Sequence, residues 1–183
     1  MSAFRIRDAL PADAPIIAEI HERGWIQAYG DFVPPEMLAE RSAVKRIGFW
    51  QDRIADATRL VLVGCDEDSS VMGMVYGGPV LAHDITSGNI EDFDSELYIL
   101  HSRREVQSMG LGRQLTGELA RRFQRAGARS LVLWAFSDNA FRRFYDRLGG
   151  EIVAAGQDEG QADVAYGWRD LNGLIAACEG GRN

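Results

Sequence analysis

The chain has 183 residues, enough for one domain with a substantial core and too few for two of full size. Hydrophobic residues make up 46% and charged residues 26%, which excludes disorder for the bulk of the chain. Apolar runs such as Leu131–Phe136 fall far short of the ~20 residues of a membrane-spanning helix, and the net charge of −7 disfavours a nucleic-acid partner while mildly favouring a cationic one.

The charges in Phe4-Arg5-Ile6-Arg7-Asp8 stand where a signal peptide needs an apolar stretch, so a cytoplasmic protein is expected. Phe4–Arg7 alternates apolar and polar residues and reads as a short strand. Pro11-Ala12-Asp13 opens a helix carrying Ile16, Ile17, Ile20, Trp25 and Ala28, which stops near Gly30. Pro34-Pro35-Glu36 starts a second helix, expected to run to about Ile54. Arg59–Cys65 and Val71–Tyr76, joined by Asp66-Glu67-Asp68-Ser69-Ser70, predict a hairpin. Residues 77–94 read as a Gly-, Asp- and Asn-rich loop, Glu96–Leu100 as a strand, and 101–106 as a further, long loop. A helix is expected from about Gly110 to Ala126, then a strand over Leu131–Ala135 and a helix capped by Ser137-Asp138-Asn139 that ends at Leu148-Gly149-Gly150. Strands near 151–155 and 162–168 close the fold. The expectation is a mixed α/β domain over residues 1–170, in the order β α α β β β α β α β β, with a tail over 171–183.

The two cysteines, Cys65 and Cys178, lie far apart without a CxxC, and His21, His83 and His101 share no metal spacing, so neither a disulfide nor a metal is expected. The most informative segment is the strand Glu96–Leu100 followed by Gln107-Ser108-Met109-Gly110-Leu111-Gly112-Arg113 at the start of a helix. Strand, glycine turn and helix N-terminus aim several backbone N–H groups at one point, which suits phosphates. No Gly-Lys-Ser/Thr follows, so this is not a P-loop.

Gln107-Ser108-Met109-Gly110-Leu111-Gly112 resembles the Gln/Arg-x-x-Gly-x-Gly/Ala pyrophosphate motif of the GCN5-related N-acetyltransferases, the GNAT family. Asn139-Ala140-Phe141-Arg142-Arg143-Phe144-Tyr145-Asp146-Arg147-Leu148-Gly149-Gly150 resembles that family's second signature helix. Gly24–Gly30 and Pro34–Leu38 are similar to the first two helices of many bacterial members, and the set looks most like the RimI-like branch. The resemblance implies a single-domain GNAT fold: a central, mixed but mostly antiparallel sheet of about seven strands flanked by helices. It implies acetyl-CoA as co-substrate and a small-molecule amine or peptide N-terminus as acceptor. No nucleic acid or membrane partner is implied, and the family often forms homodimers.

Acetyl transfer from a thioester to an amine requires a neutral amine, a group to take its proton, an N–H donor for the oxyanion and a proton for the departing thiolate. By resemblance, the backbone near Ile99 and Leu100 holds the acetyl carbonyl. Gln107, Ser108, Met109, Gly110, Leu111, Gly112 and Arg113 hold the pyrophosphate. Tyr145 matches the tyrosine that protonates the thiolate; otherwise it is a half-buried tyrosine beside Phe141 and Phe144. Asn139 matches a residue touching the pantetheine arm and is also a good N-cap. Glu96 is the base candidate, alone or through a relay water near Tyr98, or else a strand-end carboxylate in an ion pair. Trp25 and Tyr29, four apart on one helix face, form either a wall of the acceptor pocket or core, with core favoured for Trp25. The rival reading is a non-catalytic acyl-CoA-binding module, which needs the 107–112 turn but not Glu96 and Tyr145.

Overall fold

The computed structural model describes residues 4–180. Eight strands follow the sheet order β1-β2-β3-β5-β6-β8-β7-β4. They are β1 (Arg5–Asp8), β2 (Leu60–Cys65), β3 (Val71–Gly78), β4 (Asp84–Gly88), β5 (Glu96–Ser102), β6 (Leu131–Phe136), β7 (Glu151–Asp158) and β8 (Gln161–Trp168). The helices are α1 (Ala14–Tyr29), α2 (Pro35–Ala39), α3 (Ala43–Ala55), α4 (Leu111–Arg125), α5 (Arg143–Arg147) and α6 (Leu171–Glu179). The chain divides into two compact units, one of residues up to Gly77 with Ile99–Thr116, the other of Gly78–Tyr98 with residues from Gly117 onward. No helix among the described residues is long and apolar enough to cross a membrane.

In the first unit, β1, β2 and β3 pair antiparallel, with Ile6 opposite Gly64 and Gly64 opposite Gly73. The facing glycines make a flat spot. A Cβ on Gly64 would stand 2.4 Å from Leu111 Cδ1, and one on Gly73 2.9 Å from Leu111 Cδ2. Leu111, the first residue of α4, therefore seats on the bare backbone, and that contact fixes where the helix begins. Ile17, Ile20, Trp50, Leu62 and Met74 complete this core.

In the second unit, β6 pairs antiparallel with β8, β8 with β7, and β7 with β4. One buried cluster gathers Ile90, Phe93, Val132, Ala154 and Ala165, with Trp134 and Ile85 packed against it. Gly117 of α4 admits α6 closely, since a Cβ there would stand 2.9 Å from Cys178 Cβ.

Four sequence expectations change. The 77–94 loop contains the edge strand β4, whose one apolar residue, Ile85, gives too little alternation to read. The second helix breaks in two at Ser42, whose extended backbone (ψ 142°) separates α2 from α3. Strand β5 runs on through His101 and Ser102, so the stretch expected as a long loop begins as strand and ends, after Arg103, as a single 3-10 turn at Arg104–Val106. The 171–183 tail starts as α6, burying Leu171, Leu174 and Cys178, and its residues 181–183 lie outside the described residues.

Candidate active site

The anion-turn residues lie in the first unit. After β5, the Arg103 N–H donates to Met72 O at 2.8 Å, and the 3-10 turn brings Val106 into the core. Ser108 and Gly110 both adopt positive φ, 65° and 88°. The conformation is inexpensive for glycine and strained for serine. These two reversals turn the chain into α4. The first intrahelical bond is Gln114 N–H to Gly110 O at 3.1 Å, so the N–H groups of Leu111, Gly112 and Arg113 precede the ladder. A Cβ on Gly110 would find only Gln114 Nε2, at 3.9 Å, which leaves the approach to this turn open. The residues therefore fit a diphosphate: N–H groups ahead of the helical ladder, a positive helix end and a glycine that adds no side chain of its own.

Gln107 has a partner of its own. Its side-chain amide exchanges hydrogen bonds with that of Gln27 on α1, at 2.8 and 3.0 Å. A groove of about 400 Å³ adjoins this pair, lined by Ile20, Arg23, Gly24, Ser102, Arg103 and Arg104 among others. Trp25 is half-buried rather than core, its ring 4.6 Å from Tyr29 and capped by the Arg41 guanidinium at 3.8 Å. The first unit also stacks a buried histidine, His21, on a half-buried one, His101, with centroids 5.7 Å apart. Burial lowers the pKa of His21 to about 2 and that of His101 to about 4.

Glu96 and Tyr145 lie in the second unit. Glu96, 2% exposed, accepts the Leu81 N–H at 2.8 Å on Oε2, and Oε1 meets His83 Nε2 at 2.9 Å. The His83 ring stacks on Trp134 at 4.8 Å, 28° from parallel. Tyr98 donates its hydroxyl proton to Pro79 O, so that hydroxyl already has an acceptor where a relay water was expected. Asp163 on β8 is buried with Oδ1 unpartnered among the described residues. Burial, with repulsion from Asp158 and Asp84 and against the pull of His83, raises its pKa to about 6. His83 and Asp163 are the residues that sequence reasoning missed. A solitary histidine after Val80-Leu81-Ala82 carries no spacing signal, and Asp163 becomes unusual only once β8 is paired on both edges.

Asn139 caps the turn before α5, its side chain accepting the Phe141 N–H at 2.8 Å. Tyr145 is half-buried, with its ring 5.6 Å from that of Tyr166 and 5.3 Å from that of Phe144. A Cβ on Gly150 would lie 2.6 Å from Trp168 Cζ2, so Trp168 fills the space beside that glycine. The parallel β5–β6 ladder has only two register pairs, Glu96 with Val132 and Leu97 with Leu133.

Residues 71–157 match the family model described as FR47-like protein. The uncharacterized N-acetyltransferase YuaI of Bacillus subtilis is 28% identical over 92% of this chain and 95% of its own length. A GCN5-related N-acetyltransferase structure from Rhodopseudomonas palustris superposes with a TM-score of 0.69 at 19% identity, covering 91% of this chain and 96% of that one. The structure of yncA from Salmonella typhimurium, with its cofactor acetyl-CoA, gives a TM-score of 0.64 at 22% identity over 92% and 94% of the two chains. The chain thus has the GCN5-related N-acetyltransferase fold, and in sequence it is similar to the FR47-like family model over residues 71–157 and to the N-acetyltransferase YuaI.

Proposed function

We propose that the protein is a cytoplasmic acetyl-CoA-dependent N-acetyltransferase of the RimI-like branch, passing an acetyl group to a primary amine by direct attack in a ternary complex. The observation that carries this reading is the turn at Ser108–Leu111, where two positive-φ residues expose unspent N–H groups at the start of α4. YuaI bears the name N-acetyltransferase, and yncA was solved with acetyl-CoA.

Acetyl-CoA supplies a thioester-activated acetyl group. In this reading the N–H groups of Gly110–Arg113 hold the pyrophosphate, with Gln107, Ser108 and Met109, whose own N–H donates to Val106 O at 3.2 Å, shaping the turn. The backbone at Ile99 and Leu100 holds the acetyl carbonyl and stabilises the charge that develops on it. Asn139, which caps the turn before α5, meets the pantetheine arm. Tyr145 donates its phenolic proton to the departing sulfur. Glu96 is the carboxylate on the base side, and Trp25 and Tyr29 wall the acceptor pocket. The acceptor is a small amine or a peptide N-terminus.

The test is thermal unfolding with and without acetyl-CoA, followed by a free-thiol assay over primary amines. Acetyl-CoA at ~100 times its Kd adds about 2.7 kcal/mol, which raises Tm by roughly 5–10 °C for a chain of this size. No rise in folded protein overturns the reading. A rise with no turnover on any amine leaves a non-catalytic acyl-CoA-binding module instead.

A further inference from the structure

We infer that His83 is the group that takes the acceptor's proton, and that Glu96 is a positioning residue acting through it. This rests on the acetyltransferase reading above and says which atom does the work. Glu96 itself is badly placed to meet an amine. Its side chain is 3% accessible, while that of His83 is 20% accessible. Both Glu96 oxygens already have partners, Leu81 N–H on one and His83 Nε2 on the other.

The same contacts fix the histidine's tautomer. A carboxylate that accepts from a backbone N–H and lacks its own proton can only accept from its second neighbour as well. His83 Nε2 therefore carries the hydrogen, and in the neutral ring Nδ1 carries the lone pair. No hydrogen bond to Nδ1 is formed among the described residues. The ring is held by stacking on Trp134. A carboxylate behind one nitrogen and a free lone pair on the other is the arrangement of an oriented general base.

The proton balance is simple. The arriving ammonium first gives one proton to solvent. The neutral amine then attacks the acetyl carbon, a C–N bond forms, and one N–H bond of the adduct breaks as an Nδ1–H bond forms. On collapse the C–S bond breaks and the thiolate takes the Tyr145 proton, which solvent restores. The positive charge passes to the imidazolium, which Glu96 stabilises through Nε2–H, and the proton later leaves to solvent. The other charged groups on this side are Asp84, next in the chain to His83, and Asp163, buried on β8. Both favour a cation here, in line with an acceptor that arrives as an ammonium.

The test has two arms. In the first, ¹⁵N-histidine-labelled protein without acceptor is examined by long-range ¹H–¹⁵N NMR. A bare Nδ1 and protonated Nε2 on His83 are expected near pH 7. Glu96→Gln should turn the ring over to Nδ1–H, because a side-chain amide can donate to Nε2. A wild-type ring already protonated on Nδ1 overturns the proposal. In the second arm, free-thiol release is followed with a set of primary alkylamines and diamines. His83→Gln should lower kcat by 100-fold or more and remove the acid limb of the pH profile, with the acetyl-CoA-induced rise in Tm unchanged. Unaltered turnover and pH profile in folded His83→Gln overturn it. The tautomer arm needs no turnover, so failure of the acetyltransferase reading and failure of this assignment are separate results.

Discussion

Gly24 of α1 lies flat against the His101 ring of β5: a Cβ on Gly24 would stand 2.3 Å from Nδ1 and 2.4 Å from Cγ. The atoms in the way are ring atoms of a side chain already stacked on His21, so the ring has little room to retreat. Gly24→Ala should cost about 1–3 kcal/mol as an overpacking change. Thermal melts should fall by roughly 2–4 °C for each kcal/mol. A variant melting with the wild type would mean that His101 moves aside freely.

The His21–His101 pair also sets a pH dependence. Both rings have pKa values below the ordinary 6.5, about 2 and about 4, because burial disfavours the charged form. Below pH 6.5 the unfolded chain therefore binds protons that the folded chain refuses. Stability is full above that value and falls as pH drops, through about 4 for His101 and further for His21. Tm should decline from pH 6.5 to 4, and His101→Gln should flatten the upper part of that decline. An unchanged slope in the variant would place the titration elsewhere.

Asp163 works with the opposite sign. Its carboxyl is raised from 3.8 to about 6, so the folded state holds a proton that the unfolded state has released. Its contribution is most favourable below pH 3.8 and is lost as pH rises to about 6. Asp163→Asn replaces a costly buried carboxylate with a neutral group of the same shape. It should raise stability at pH 7 by at most about 3 kcal/mol, because each tenfold change in proton affinity is worth about 1.4 kcal/mol. The gain should vanish below pH 4. Destabilisation at pH 7 would show that Oδ1 has a partner in solution, and a bound cation is the first to look for.

What was legible in the sequence follows physical lines. Strong patterns survived: the Arg59–Tyr76 hairpin, the apolar run of β6 and the glycine turn before α4 each carry a local signal that tertiary contacts only reinforce. Asn139 was readable as a cap because capping is a local bond. The edge strand β4 was not, since an edge strand with one half-buried residue needs no alternation. Nor was the Glu96–His83 contact, which joins residues 13 apart through a loop whose path no periodicity specifies. Trp25 was expected in the core from helix spacing alone. The Arg41 guanidinium over its face makes a half-buried position tolerable instead.

Tyr145 gives the enzymatic test. Its ring packs on Phe144 and Tyr166, contacts that phenylalanine would keep. Tyr145→Phe removes only the hydroxyl. Turnover should fall on the order of 10–100-fold, the range of a modest general acid. The acetyl-CoA-induced rise in Tm should stay within error of the wild type. Intact turnover across pH would remove Tyr145 from the chemistry and leave it a packing residue.

Gly110 separates backbone conformation from ligand approach. At φ 88° any side chain is strained, yet a Cβ would meet only Gln114 Nε2, at 3.9 Å. Gly110→Ala should therefore cost about 1–2 kcal/mol in stability from the left-handed conformation alone. Gly110→Glu carries the same strain and adds a carboxylate beside the N–H groups of Leu111–Arg113, where it competes with the diphosphate for the helix end. Its melt without ligand should resemble that of the alanine variant, while the rise with acetyl-CoA should disappear. If the glutamate variant keeps the full rise, the pyrophosphate does not sit at this turn.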